Sequence, residues 1–305
     1  MSARRARTTA VVLAFCSIAG AAPAAAQKAS EAERWLDALY DEMAPELAAG
    51  RPLVVQVHVP LCDNDVLRCG RGRLGDGEDA DGNLYWATSG GFRGWFGRKG
   101  SPWRLVHHMS APEEDVIEVR VWRRRVSPGP ALRARGVKKP VQVYVVAHAW
   151  RGESIARAMS AYAADLFGRR ARRITLPGGE VLAAGGAARL VAFVGHNGWM
   201  DVTDFAWPAA GGSARKATIA VACITEDYLV PAVPDERRVP LLFTRSLLFA
   251  GAHAFEGAVS AFAEGQSLAG IREGAVRAYA AGQGKSLPRV RAAFTNPADR
   301  KWKNR

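Results

Sequence analysis

The sequence predicts an α/β protein built on a mainly parallel sheet with helices on both faces. Three observations carry this. Short apolar, β-branched runs recur along the chain, and amphipathic helical stretches lie between several of them. Two consecutive runs, "LVAFV" and "ATIAVAC", then end close to residues that can do chemistry, His196 and Cys223. Strands covered on both faces read as near-continuous apolar runs, and that pattern marks a parallel sheet between helical layers.

The first 26 residues stand apart. "MSARRARTTAVVLAFCSIAGAAPAAAQ" has three arginines, an apolar middle and a small-residue AAA-Q junction, which reads as a secretory signal peptide cleaved after Ala26. Its apolar core is short and Ala-rich for a spanning helix. Phe15 occupies the place where a lipidated Cys16 needs a small neighbour. The mature chain, residues 27–305, is expected to be one α/β domain, exported to the periplasm or beyond, with no membrane span.

Lys and Arg number 42 against 29 Asp and Glu, for a net charge of +13. The leader holds three of those positive charges and no acid, so the mature chain is still about +10. Two clusters hold much of the excess, "RRRVSPGPALRARGVKKP" (123–140) and "GRRARR" (168–173). Neither interleaves aromatics or lies on a clear recognition helix, so nucleic acid is not the expected partner. Solvated basic loops and a surface for anionic envelope components both fit the clusters.

In chain order, residues 30–49 read as an amphipathic helix capped by Ser30, with Glu33 three residues on and Trp35, Leu36 and Leu39 on one face. "PLVVQVHV" (52–59) is a buried strand ended by Pro60. A Gly/Asp-rich loop, "CGRGRLGDGEDADGN", follows; it lacks the EF-hand register and reads as a polar loop over the rim of the sheet. Asn83 can cap "LYWATSGGFRGWF", with Leu84, Phe92 and Trp95 on a shared face, although three glycines weaken such a helix. Residues 103–108 and 116–122 pair as a hairpin, since Ile117, Val119 and Val121 alternate with Glu118 and Arg120. Beyond the basic Pro/Gly linker, "VQVYVVA" (141–147) is a strand. The next segment is an amphipathic helix with Ile155, Met159, Tyr162 and Leu166 at helical spacing. After the two runs quoted above come "VPLLFT" (239–244) and a helical tail from about Arg245 to Phe294.

A parallel sheet places the carboxyl ends of its strands on one rim, where ligands bind. His196 and Cys223 each follow the last apolar residues of a strand, so both belong to that rim. Outside the leader the cysteines are Cys62, Cys69 and Cys223. Cys62 and Cys69 flank the short turn "CDNDVLRC" and are placed for a local disulfide, leaving Cys223 as the free thiol. A free thiol in an exported protein is either a buried core residue or kept for chemistry. Cysteine hydrolysis needs a thiol, a histidine to manage a proton, and backbone N–H groups for the oxyanion. Cys223, His196 and the amides of Gly198 and Cys223 supply those parts. Asp63 and Asp65 follow the first strand, and Glu226 and Asp227 follow Cys223. If they line the cleft they favour a basic side chain on the substrate; turn and cap chemistry is the alternative. The remaining histidines show no metal spacing, a zinc site from His196, Asp201 and Cys223 is not favoured by spacing, and no cofactor is called for.

At these residues the chain resembles the caspase–haemoglobinase fold of cysteine peptidases. "FVGHNG" supplies His196 and Gly198 after a third core strand, and "AVAC" supplies Ala222 and Cys223 after a fourth. The strand–helix "VYVVAHAWRGESIARAMSAYAADL" is similar to the family's second strand and helix. The resemblance covers roughly Leu53 to Tyr228. It departs from the family pattern at Asn197, which separates the histidine from its glycine, and at Ile224 and Thr225, where the Q-A-C-x-G signature is absent. It implies a caspase-like three-layer sandwich and a cysteine peptidase-like hydrolase acting on peptide or protein substrates. A non-catalytic binding protein on the same scaffold is the other reading.

Overall fold

The computed structural model describes residues 29–301; the expected signal peptide lies outside them. In chain order the elements are α1 (Glu31–Ala48), β1 (Leu53–Pro60), α2 (Phe92–Phe96), β2 (Arg104–Glu113), β3 (Val116–Val126), α3 (Pro130–Ala134), β4 (Val141–Trp150), α4 (Ile155–Leu166), β5 (Ala171–Thr175), β6 (Val181–Gly185), β7 (Leu190–Val194), β8 (Lys216–Val221), α5 (Thr225–Leu229), β9 (Arg238–Leu242), α6 (Ala252–Glu264), α7 (Leu268–Gln283) and α8 (Leu287–Ala293). Seven strands form one sheet in the order β2, β3, β4, β1, β7, β8, β9, and β5–β6 is a separate hairpin. Strands β4, β1, β7, β8 and β9 are mutually parallel, and β2 and β3 add antiparallel pairings at one edge. The molecule is therefore α/β with a mainly parallel, mixed sheet.

Alternation along the strands sorts the core into two clusters. Val55, Val57, Ala192, Val194, Ile219 and Val221 pack toward α1, α6 and α7. Val54, Val191, Phe193, Ala220 and Ala222 pack toward α4 and the β5–β6 hairpin. Every residue of β1, β7 and β8 is buried, as two-sided coverage requires.

Ser30 caps α1 by accepting the amide of Glu33. The Glu33 carboxylate does not close a capping box; it accepts the amide of Leu268 at the start of α7 and ties the two helices together. The hairpin is longer than the alternation indicates, because β3 runs on through Arg123, Arg124 and Arg125, the first part of the basic stretch. Arg135, from the same stretch, pairs with Asp37 and Asp41 of α1, so part of this charge is spent internally.

Three segments differ from the sequence expectation. Only Phe92–Phe96 of the Asn83 segment is helical. Asn83 is buried and exchanges hydrogen bonds with both the amide and the carbonyl of Cys62, pinning the loop to the end of β1. A Cβ at Gly94 would meet the Thr88 carbonyl oxygen at 2.0 Å, so the glycines permit a tight crossing in place of a longer helix. The C-terminal helices begin only at Ala252, because residues 245–250 form no regular element and run beside Cys223. The β5–β6 hairpin was not foreseen. Its first strand is "ARRIT", whose arginines read as a charged loop.

Candidate functional site

Strands β7 and β8 are adjacent, parallel and in register, with Val194 opposite Val221. His196 and Cys223 therefore stand two residues beyond equivalent points on neighbouring strands. The amide of Gly195 still donates to Val221 O at 3.2 Å, and the side-chain amide of Asn197 donates to the carbonyl of Cys223 at 2.5 Å. Asn197 is fully buried, and its Oδ1 accepts the amide of Trp199 at 3.2 Å. The residue that interrupts the His-Gly pairing is thus the one that joins the two strand ends.

The His196 ring is nearly buried. Its Nε2 lies 2.6 Å from Asp201 Oδ2. A carboxylate only accepts, so the neutral ring carries its proton on Nε2 and presents Nδ1 as the lone-pair nitrogen. Nδ1 is buried and has no hydrogen-bond partner among the described residues. Asp201 was not singled out for this role by its sequence; its position five residues beyond the histidine was the only signal.

Cys223 is the free cysteine among the described residues and is half-buried. Its Sγ is 3.6 Å from the carbonyl oxygen of Leu248. Two buried phenols, Tyr85 and Tyr279, lie within electrostatic reach of the thiol. Burial raises both phenol pKa values, and proximity to Cys223 adds to each shift. The following residue, Ile224, has φ +50°, a left-handed conformation that a β-branched side chain rarely adopts. Backbone of this kind is held at a cost of order 1–3 kcal/mol and clusters at functional sites. The Ile224 amide donates to Ser246 O, at 3.3 Å, which fixes the turn.

The two amides considered for an oxyanion differ. That of Cys223 has no hydrogen-bond partner among the described residues, whereas that of Gly198 donates to the carbonyl of His196 at 3.2 Å. Gly198 owes its lack of a side chain to packing. A Cβ there would lie 2.5 Å from Met159 Sδ of α4.

The four carboxylates also separate. Asp63 forms the turn after β1, accepting the Asp65 amide on its side chain and the Leu67 amide on its carbonyl. Asp65 and Asp227 are exposed. Glu226 is buried and ion-paired with both Arg245 and Arg300, so its charge is already matched. The segment beside Cys223 lines a cavity of about 530 Å³ with Leu247, Leu248, Phe249, Tyr279, Lys285 and Arg289 among its walls. No carboxylate lines it.

The structure joins Cys62 to Cys69, with their Cα atoms 6.0 Å apart. No helix among the described residues is long and apolar enough to cross a membrane. Comparison of the chain with protein-family models, with curated proteins and with solved structures finds no match.

Proposed function

We propose that this chain is an exported cysteine peptidase-like hydrolase with a caspase-type core, in which Cys223 is the nucleophile and His196 the proton carrier. The observation that carries the reading is the register of β7 and β8, which brings both residues to equivalent positions past adjacent strand ends. The Asp201 contact supports it by leaving Nδ1 of His196 uncommitted. The parallel strands, taken in chain order, lie 2-1-3-4-5 across the sheet, and the chemistry-bearing residues follow the third and fourth. A disulfide and a leader-like N-terminus favour an oxidising compartment.

The chemistry follows from these groups. The Cys223 thiolate attacks the scissile carbonyl carbon and forms a C–S bond, while the carbonyl oxygen takes the negative charge. The free amide of Cys223 is the donor placed for that oxygen. As the oxyanion collapses the C–N bond breaks, and protonated His196 delivers its proton to the leaving amine. Water, deprotonated by the now neutral imidazole, hydrolyses the thioester and regenerates the thiol. Asp201 holds the ring tautomer and steadies its charged form. The expected preference for a basic substrate residue weakens, because Glu226 is paired and the neighbouring cavity carries Lys285 and Arg289.

The test is labelling by peptide electrophiles followed by mass mapping. The reading requires one adduct, on Cys223, that disappears in His196→Ala. A non-catalytic binding protein on the same scaffold is the second reading, favoured by the contact of Cys223 Sγ with Leu248 O. It requires no adduct on the native protein.

A further inference from the structure

A second polar assembly lies on the α4 side of the sheet and does not depend on the Cys223–His196 pair. Gln56 and His58 come from β1, His148 and Trp150 from β4, and Asp165 from the last turn of α4; Gln56, His58, His148 and Asp165 are no more than 3% exposed. Their hydrogen bonds fix every orientation. The backbone amide of Gly185 donates to Gln56 Oε1 at 3.1 Å, which leaves Gln56 Nε2 as the donor to His148 Nδ1 at 2.9 Å. The Trp150 indole donates to His58 Nδ1 at 3.1 Å, and His58 Nε2 meets Asp165 Oδ2 at 3.0 Å. Nδ1 of His148 is therefore an acceptor, and the proton of its neutral ring sits on Nε2. Burial holds this ring well below the usual histidine range, and the nearby Arg172 and Arg170 push the same way. The result is an N–H donor with no partner among the described residues.

The ring of His148 lines a cavity of about 310 Å³ between the β2–β3 edge and the β5–β6 hairpin. Its other walls include Met109, Val119, Ile174, Glu113 and Arg172. One carboxylate serves two cations here. Glu113 accepts from both terminal nitrogens of Arg172, one of them at 2.8 Å, and from Arg170 at 3.5 Å, and the exposed Arg173 on the same wall adds a further cation, so the site keeps an excess positive charge. A buried network this complete is costly to maintain unless its polar atoms are satisfied. Two atoms are left open: Asp165 Oδ1, which is buried without a partner among the described residues, and the His148 Nε2–H donor, on the residue that lines the cavity. The volume falls at the lower end of small-ligand sites, about 300–1,000 Å³.

We propose that this cavity binds a small organic anion, with a carboxylate or phosphate head on His148 Nε2–H and Arg172 and a short aliphatic body on Met109, Val119 and Ile174. Both heads present the same acceptor oxygens; the body selects for an aliphatic ligand over a bare ion.

The test is nitrogen NMR of the histidine rings in the mature protein, titrated with sodium hexanoate, hexyl phosphate, hexylamine and hexanol to about 10 mM, enough to fill a site of millimolar Kd. Hexanoate or hexyl phosphate is expected to shift the His148 Nε2 resonance, and the stronger of the two identifies the head group. Arg172→Gln is expected to weaken that response by about tenfold or more, the worth of a charge-assisted hydrogen bond. The proposal is overturned if neither anion moves the resonance, or if hexylamine or hexanol moves it equally. The wild-type titration decides this even if the variant folds poorly.

Discussion

The side-chain amide of Asn197 donates to the carbonyl of Cys223 at 2.5 Å, so the loop after β7 and the loop after β8 are fastened to one another. Asn197→Ala removes the donor to Cys223 together with the oxygen that accepts the Trp199 amide. Leaving a buried carbonyl unpaired costs about 1–3 kcal/mol. Chemical denaturation of this variant is expected to show a loss in that range, together with slower labelling of Cys223. Unchanged stability would mean that the two strand ends are held by other contacts.

The left-handed Ile224 is the second place where the site stores energy. Asparagine tolerates that conformation better than a β-branched residue does. Ile224→Asn is expected to stabilise the fold by about 1 kcal/mol while lowering reactivity at Cys223. Urea unfolding checks the first part. A clear loss of stability would show that Ile224 is retained for packing.

Much of the framework was legible before the structure was known. The parallel strands β1, β4, β7, β8 and β9 each read as apolar runs, because burial on both faces leaves no place for alternation. His196 and Cys223 were legible for the same reason, as the first reactive residues beyond such runs. The roles of Asn197 and Asp201 were not, since a tie across two loops and a carboxylate partner depend on where the chain turns. The β5–β6 hairpin was hidden because Arg172 of β5 has its partner, Glu113, far away in sequence. The network around His148 left only a faint trace, Gln56, His58 and His148 inside otherwise apolar strands.

The disulfide closes a loop between Cys62 and Cys69, seven residues apart. A loop of this length contributes about 2.5 kcal/mol by restricting the unfolded chain. Calorimetry on the Cys62→Ser/Cys69→Ser protein is expected to show a lower melting temperature, with Cys223 labelling retained. Peptide mapping that finds Cys223 bonded to either partner would remove the free thiol on which the proposed chemistry rests.

His253 makes stability depend on acid. Burial, with Arg98 nearby, lowers its pKa to about 4. Between that value and the ordinary one near 6.5, the unfolded chain binds the proton and the folded chain does not. Stability from this group is therefore present above the unfolded pKa and is lost as pH falls through the window, by on the order of 3 kcal/mol in total. His148 acts in the same direction. Melting temperatures measured from pH 7 to 4 are expected to fall, and His253→Gln to fall less steeply. Parallel curves for the two proteins would assign the acid sensitivity to other groups.

The central claim is that Cys223 is a reactive thiol served by His196, and its most direct measurement needs no substrate. It is the rate at which iodoacetamide modifies Cys223 in the native protein, followed by mass spectrometry in wild type and in His196→Ala. The account predicts rapid modification in wild type and a marked slowing when the imidazole is removed. Modification that occurs only on unfolding, at the same rate in both proteins, would contradict it and make Cys223 a core residue.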